Sequence, residues 1–107
     1  MNTFGQCIGI FTATLDDEYQ ASLWHAMEQE AQLRNFGTIS FIGSRLGSPI
    51  ASEAASNIAY HLANEETIDG LIIVSSSLAT FFSTMDLHQY FSPWASIPSV
   101  SIGMPLE

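Results

Sequence analysis

The 107-residue chain contains no lysine, and its basic side chains are Arg34 and Arg45 alone. Against these two stand 11 acidic residues, which gives a formal net charge of -9. Binding to a phosphate backbone needs clustered cations, so direct nucleic-acid contact by this segment is not expected. Docking on an anionic membrane surface needs the same cations and is not expected either. A single cysteine, Cys7, leaves no possibility of an internal disulfide. It lies in the apolar run Cys7-Ile8-Gly9-Ile10-Phe11, where a buried inert thiol is expected rather than a nucleophile. No run approaches the ~18 apolar residues of a membrane span. The N-terminus lacks the basic stretch of a secretory signal, so a cytoplasmic location is expected if Met1 is the native start.

Charge as a whole is scarce. Charged residues make up 12% of the chain and hydrophobic residues 47%, whereas a typical globular domain is about 25% charged. Two readings follow. Either part of the surface is normally covered by a partner, or polarity is carried by serine, threonine and asparagine. The acidity itself is accounted for by solubility.

Short apolar runs alternate with helical patterns. Cys7 to Thr12 is continuous rather than alternating, as suits a strand buried on both faces. Thr14 and Asp17 have the spacing of a capping box. Asp16, Asp17 and Glu18 place negative charge where a helix macrodipole favours it. The spacing predicts a helix from Asp17 to Asn35, with Tyr19, Leu23, Ala26, Met27 and Glu30 in register and Gly37 as its stop. Thr38 to Ile42 reads as the second strand. Ser48-Pro49 reads as a cap plus first helical residue, followed by a stripe of Ala51, Ala54, Ala55, Ile58, Ala59 and Leu62. Core packing is the expected use of that stripe. Leu71 to Val74, after Asp69-Gly70, predicts a central parallel strand. Leu78, Phe81, Phe82 and Met85 begin a third helical pattern, with a break expected before Asp86, that ends before Pro93. Ile97 to Ile102 reads as the fourth strand.

The order β-α-β-α-β-α-β predicts an α/β fold. Its expected form is a three-layer α-β-α, parallel, doubly wound sheet of the flavodoxin-like or Rossmann-like kind, in one domain over residues 1–107. Such sheets bind ligands beyond the carboxyl ends of their strands, where the strand order switches. Four segments would line that edge: Ala13 to Tyr19, Gly43 to Arg45, Ser75 to Ser77 and Gly103 to Pro105. Their hydroxyls, carboxylates, one guanidinium and one ring suit a small polar ligand. Two plainer uses stay open. Ser75 to Ser77 can cap the helix that follows, and Tyr19 can be a first-turn core residue.

A catalytic centre is hard to assemble from this chain. His25, His61 and His88 lie in three different helical segments and are expected at the surface. No His, Cys and carboxylate grouping has metal spacing. There is no dinucleotide fingerprint, phosphate loop or glycine-flanked nucleophile. A phospho-acceptor receiver would end its third strand in aspartate and carry a late lysine. Here the third strand ends in Ser75, and there is no lysine.

The pattern resembles the ligand-binding domain of the lac-repressor and ribose-binding-protein superfamily, a periplasmic-binding-protein-like fold. Ile8-Gly9-Ile10-Phe11 with Tyr19 and Leu23 to Ala31 looks like that family's first strand and helix. Ile68-Asp69-Gly70-Leu71-Ile72-Ile73-Val74-Ser75-Ser76 is similar to its "VDGIIL" strand. Ile97-Pro98-Ser99-Val100-Ser101-Ile102-Gly103 is similar to its "IPVV" strand. The resemblance implies ligand contacts at Thr14, Asp17, Ser44, Arg45, Ser75 and Ser76, with Tyr19 stacking on a sugar-like or nucleoside-like ring. The family often reads Asn-Pro-Phe-Phe where this chain has Asp17-Glu18-Tyr19-Gln20, so one aromatic remains. The chain covers four strand-helix steps of one lobe. The resemblance therefore implies an incomplete first lobe, excerpted from a larger sensor or regulator.

The expected role is a non-catalytic small-ligand sensor that shifts an attached output domain, with no cofactor and no metal. One alternative is a dimerisation or interaction module with a vestigial pocket. Its candidate faces are the Ala51 to Leu62 stripe and the Phe81-Phe82 helix, forming a possible homodimer. The other is a flavodoxin-like enzyme with Thr12, Thr14 and Ser75 to Ser77 around a phosphate. Three acidic residues at a helix N-terminus oppose it.

Overall fold

Every strand runs parallel to its neighbours in a four-stranded sheet ordered β2 (Phe36–Ile42), β1 (Gln6–Thr12), β3 (Gly70–Ile73), β4 (Ser99–Ser101). The structure, a computed structural model, describes residues 6–13 and 18–103. The Thr14–Asp17 capping box and the Pro105 end of the last edge segment lie outside the described residues. β1 (Gln6–Thr12) and β3 (Gly70–Ile73) form the interior of the sheet, while β2 (Phe36–Ile42) and β4 (Ser99–Ser101) are its edges. This agrees with the continuous apolar runs of β1 and β3, since an interior parallel strand has no solvent-facing side. β1 is in register with both neighbours, Ile10 lying opposite Ser40 on one side and Ile72 on the other.

Successive side chains of a strand point to opposite faces of a sheet. On one face Phe11 sits at the centre of the core, fully buried. Its ring is 5.0 to 6.0 Å from those of Phe41, Tyr60, Phe91 and Trp94. Trp94 keeps its polar tip satisfied there, donating from Nε1 to the Ala63 carbonyl at 2.9 Å. On the other face lies α1 (Glu18–Leu33), tied down by Trp24 Nε1 donating to Ser40 Oγ at 2.7 Å and by Thr38 donating to Glu28.

Several helix boundaries differ from expectation, each for a local reason. α1 ends at Leu33, and the chain turns at Asn35, which takes the left-handed conformation (φ 63°), rather than at Gly37. Gly37 is instead the β2 partner of Cys7. α2 begins at Ala51, and Ser48 accepts a hydrogen bond from the Ile50 N–H in a turn rather than capping the helix. After six residues, at Ser56, the helix tightens into a 3-10 helix over Asn57–Leu62. The alanine stripe is mostly exposed, and the residue this segment buries is Tyr60. The third helical pattern divides into a single turn, α3 (Ser75–Leu78), and α4 (Thr84–Tyr90). α4 opens on a complete capping box. Ser83 Oγ accepts from the Asp86 N–H at 3.1 Å, and Asp86 accepts from the Ser83 N–H at 2.9 Å. Cys7 is half-buried, and desolvation followed by the nearby Asp69 charge pushes its thiol up, which leaves little thiolate.

Candidate functional site

Because β1 lies between β2 and β3, the strand order reverses at β1 and β3. The carboxyl ends of those strands carry Thr12-Ala13 and Val74-Ser75. Ser77 joins them. Its hydroxyl donates to the Val74 carbonyl at 2.8 Å, accepts from the Ala13 N–H at 3.2 Å and lies 3.4 Å from Thr12 Oγ1. The short turn of α3 brings the hydroxyl back over the strand ends.

On one side of this junction Ser75 is fully buried, its hydroxyl 2.7 Å from Ser101 Oγ and donating to the Ile102 carbonyl at 3.0 Å. Ser75 thus couples β3 to β4 and is not presented to solvent as a ligand contact. Ser76 is exposed beside it, with its N–H donating to Ile102 at 3.3 Å. Gly103 closes this side with φ 111°, and a Cβ there would lie 2.5 Å from Ser76 Cβ. A Gly103→Ala variant is therefore expected to lose about 1–3 kcal/mol from backbone strain and contact. A thermal melt reads this as roughly 4–8 °C per kcal/mol.

On the other side Tyr60 performs the equivalent task for β2. Its hydroxyl donates to the Thr12 carbonyl at 2.9 Å, lies 3.2 Å from the Ser44 carbonyl and accepts from the Gly43 N–H at 3.2 Å. The ring lies so close that a Cβ at Gly43 would be 2.6 Å from it. Burial pushes the Tyr60 hydroxyl far above the ordinary tyrosine value, outweighing the Gly43 N–H that lowers it. The loop beyond is held by Asn57, which accepts from the Ser44 N–H at 2.7 Å and donates to the Arg45 carbonyl at 3.1 Å.

Arg45, in the loop after β2, turns toward the helix that follows. Nε and an Nη meet the two carboxylate oxygens of Glu53 at 2.9 and 2.8 Å, and the guanidinium lies 5.0 Å from the centre of the Phe81 ring. The Arg45 hydrogen bonds hold the Glu53 carboxyl below its ordinary range, against a smaller opposing desolvation. Behind this loop lies a cavity of about 300 Å³ whose lining includes Leu46, Ser48, Asn57, His61 and Tyr90.

Of the expected contact residues, Ser44 and Arg45 fall on the β2 side, Ser75 and Ser76 on the β4 side, and Thr12 and Ser77 stand between. Tyr19 is 63% exposed in the first turn of α1, so it is not a core residue. Thr14 and Asp17 lie outside the described residues. His25, His61 and His88 are all exposed. Among the described residues no group of three or more His, Cys, Asp or Glu could hold a metal ion. No described helix is long and apolar enough to cross a membrane. Sequence reasoning missed Tyr60, Asn57 and Ser101. Tyr60 carried the readable signal, a lone aromatic with a polar tip among alanines.

The carboxyl edge is thus a row of hydroxyls and backbone groups held by internal hydrogen bonds, with Ser76 and the Arg45–Glu53 pair facing outward. The chain matches no family model, no curated protein and no solved structure, so its function rests on this geometry.

Proposed function

We propose that this chain is the first lobe of a cytoplasmic, non-catalytic ligand-sensing domain, with a three-layer, doubly wound arrangement around its parallel sheet. The observation that carries this reading is the strand order. It gathers Ser44, Arg45 and Ser76 along the carboxyl edge, astride the β1–β3 switch point where open α/β sheets hold their ligands. The groups there suit hydroxyl-rich ligands of the sugar or nucleoside class. Ser76 offers an exposed hydroxyl. The Arg45–Glu53 pair offers donors and acceptors already held in one orientation, which lowers the ordering cost of binding. Binding at this edge would bias the position of a facing lobe and so shift an attached output.

Titrating monosaccharides and nucleosides while following backbone amide resonances tests the reading. Shifts are expected at Ser44, Arg45 and Ser76 and are expected to weaken in an Arg45→Ala variant. An absence of saturable shifts with every compound would count against a sensor role.

One observation favours a second reading, an interaction module. Ile50, Ile58 and Leu62 are 47%, 68% and 66% exposed on and before the 3-10 helix. Such a face suits a homodimer, although the charge of -9 opposes self-association at low salt. Sedimentation that shows dimers at high salt, lost in Ile58→Asp, would support this reading.

A further inference from the structure

Among the described residues two parts of the sheet lack cover, one face over β3 and β4 and the outer edge of β2. The strands that follow β1 on its other side lie in the order β3, β4, so further winding of the same kind adds helix and strand beside β4. Such winding covers the first surface. It leaves the second, at the far side of the sheet, open.

An open edge presents a row of N–H and C=O groups to any other strand. The ladder fixes which groups these are. The Val74 N–H reaches the Phe11 carbonyl on the β3 side of β1, and the Gly43 N–H reaches the Thr12 carbonyl on the β2 side. Bonding alternates along a parallel strand. Gly37, Ile39 and Phe41 therefore bond to β1, while Phe36, Thr38, Ser40 and Ile42 turn their backbone groups outward.

Proteins blunt such edges with charge, proline, a bulge or a short strand. The β4 edge is three residues long and follows Pro98. β2 has seven residues with neither charge nor proline, and Ile39 and Ile42 are 40% and 44% exposed. The chain's two arginines bracket it, Arg34 before and Arg45 after, each paired with a glutamate. Glu28, bonded to Thr38, adds a further negative charge beside it. The strand itself is thus free of the acidity that marks the chain.

β2 is also complementary to itself. Read antiparallel about Ile39, Phe36 meets Ile42, Thr38 meets Ser40 and Ile39 meets its own copy, while the small Gly37 leaves room for Phe41. Apolar residues face apolar ones and hydroxyl faces hydroxyl, both favourable cross-strand pairs. The backbone agrees. Thr38 with Ser40 and Phe36 with Ile42 are pairs of outward-turned residues, so each pair exchanges two hydrogen bonds, about eight in all. Ile39 falls on the two-fold axis in a non-hydrogen-bonded pair, where side chains approach closest. An axis at any other residue leaves part of the strand unpaired.

We propose that two copies of this chain pair antiparallel through β2, joining their four-stranded sheets into one about a two-fold axis at Ile39. This surface is separate from the Ile50, Ile58 and Leu62 face and does not depend on what the carboxyl edge binds.

Sedimentation equilibrium of the 107-residue chain over a concentration series tests this, in high salt to screen the acidic charge. A monomer–dimer equilibrium is expected. Ile39→Lys sets two like charges face to face on the axis and is expected to weaken the dimer at least about tenfold. The sign is diagnostic, since an added cation would strengthen any association limited only by the net charge of -9. Ile42→Lys is expected to act alike and serves if the first variant misfolds. Ile58→Asp is expected to leave the dimer intact. Amide hydrogen exchange supplies a second readout. Protection is expected to rise with concentration at Phe36, Thr38, Ser40 and Ile42 and to stay unchanged at Ile39 and Phe41, already bonded to β1. A wild-type chain that stays monomeric would overturn the proposal, as would undiminished dimerisation by both lysine variants. So would a dimer without the alternating protection. A dimer lost in Ile58→Asp but kept in Ile39→Lys would also overturn it and assign association to the 3-10 helix face.

Discussion

Truncating Phe11 to alanine is expected to lower the unfolding free energy by about 3–5 kcal/mol. The residue is fully buried near the carboxyl end of β1, and four aromatic rings surround it. Those rings come from β2, the 3-10 helix, the residue that ends α4 and the turn after it, so no single neighbour can move in to refill the space. The cost is therefore the lost transfer of a large apolar group plus an unrelaxed cavity. Domains are held by only about 5–15 kcal/mol in total, so the variant should lie close to unfolding at room temperature. Urea denaturation followed by far-ultraviolet dichroism measures it. Met85→Ala supplies the comparison, because Met85 is 71% exposed and should shift stability by no more than about 0.5 kcal/mol. Equal midpoints for the two variants would show that the core is not centred on Phe11.

The second large effect is expected at Tyr60. Removing one hydroxyl in Tyr60→Phe strips a partner from the Thr12 carbonyl and the Gly43 N–H in a buried setting. The two groups keep their 3.2 Å bond to each other, so the cost is that of a lost buried hydrogen bond, about 0.5–1.5 kcal/mol. The same hydroxyl has a signature in pH. Burial raises its folded value above the ordinary 10.0, so the unfolded chain ionises first. The stabilisation from neutral Tyr60 is fully present below about pH 10 and is lost as pH climbs from there toward the folded value, at about 1.4 kcal/mol per pH unit. The absence of lysine keeps this window clean. Above pH 10 the side chains still changing charge are three tyrosines and one cysteine. Tyr90, raised by burial as well, contributes in both proteins. Stability measured at steps between pH 8 and pH 12 should fall more steeply for wild type than for Tyr60→Phe. Parallel curves would mean that Tyr60 is not held neutral by the fold.

How far the sequence was readable depended on the range of the interaction involved. β1 and β3 were located to within about a residue, because a continuous apolar run bounded by glycine or polar residues has few other solutions in an α/β chain. Helix ends were less readable. The Ser83–Asp86 capping box has the same spacing as Thr14 and Asp17, and the break expected before Asp86 lies within three residues of the observed cap at Ser83. The Ala51 to Leu62 stripe misled because alanine suits both a buried face and an exposed helix. Its periodicity did not reveal that Tyr60 turns inward and the isoleucine and leucine turn out.

The candidate site divides in the same way. Its loops could be found, since ligand edges of parallel sheets follow strand ends. The state of each side chain could not. Ser75 seemed a contact residue and is a buried link to Ser101, 26 positions away. Arg45, expected as a ligand contact, is paired with Glu53, eight positions away, which local pattern did not reveal.

By itself the sequence determined the composition-level properties, namely the acidic balance and the scarcity of basic side chains, together with the four strands and their parallel habit. These follow from local patterning and charge, which need no knowledge of what lies opposite. Only the tertiary structure decided the order β2-β1-β3-β4, the use of the edge hydroxyls as internal links, and, among the described residues, the coverage of one sheet face but only half of the other. Those outcomes depend on partners dozens of residues apart, such as Tyr60 and Thr12 at a separation of 48. Pairing at that range is set by packing the whole chain around one core, and local pattern carries no record of it.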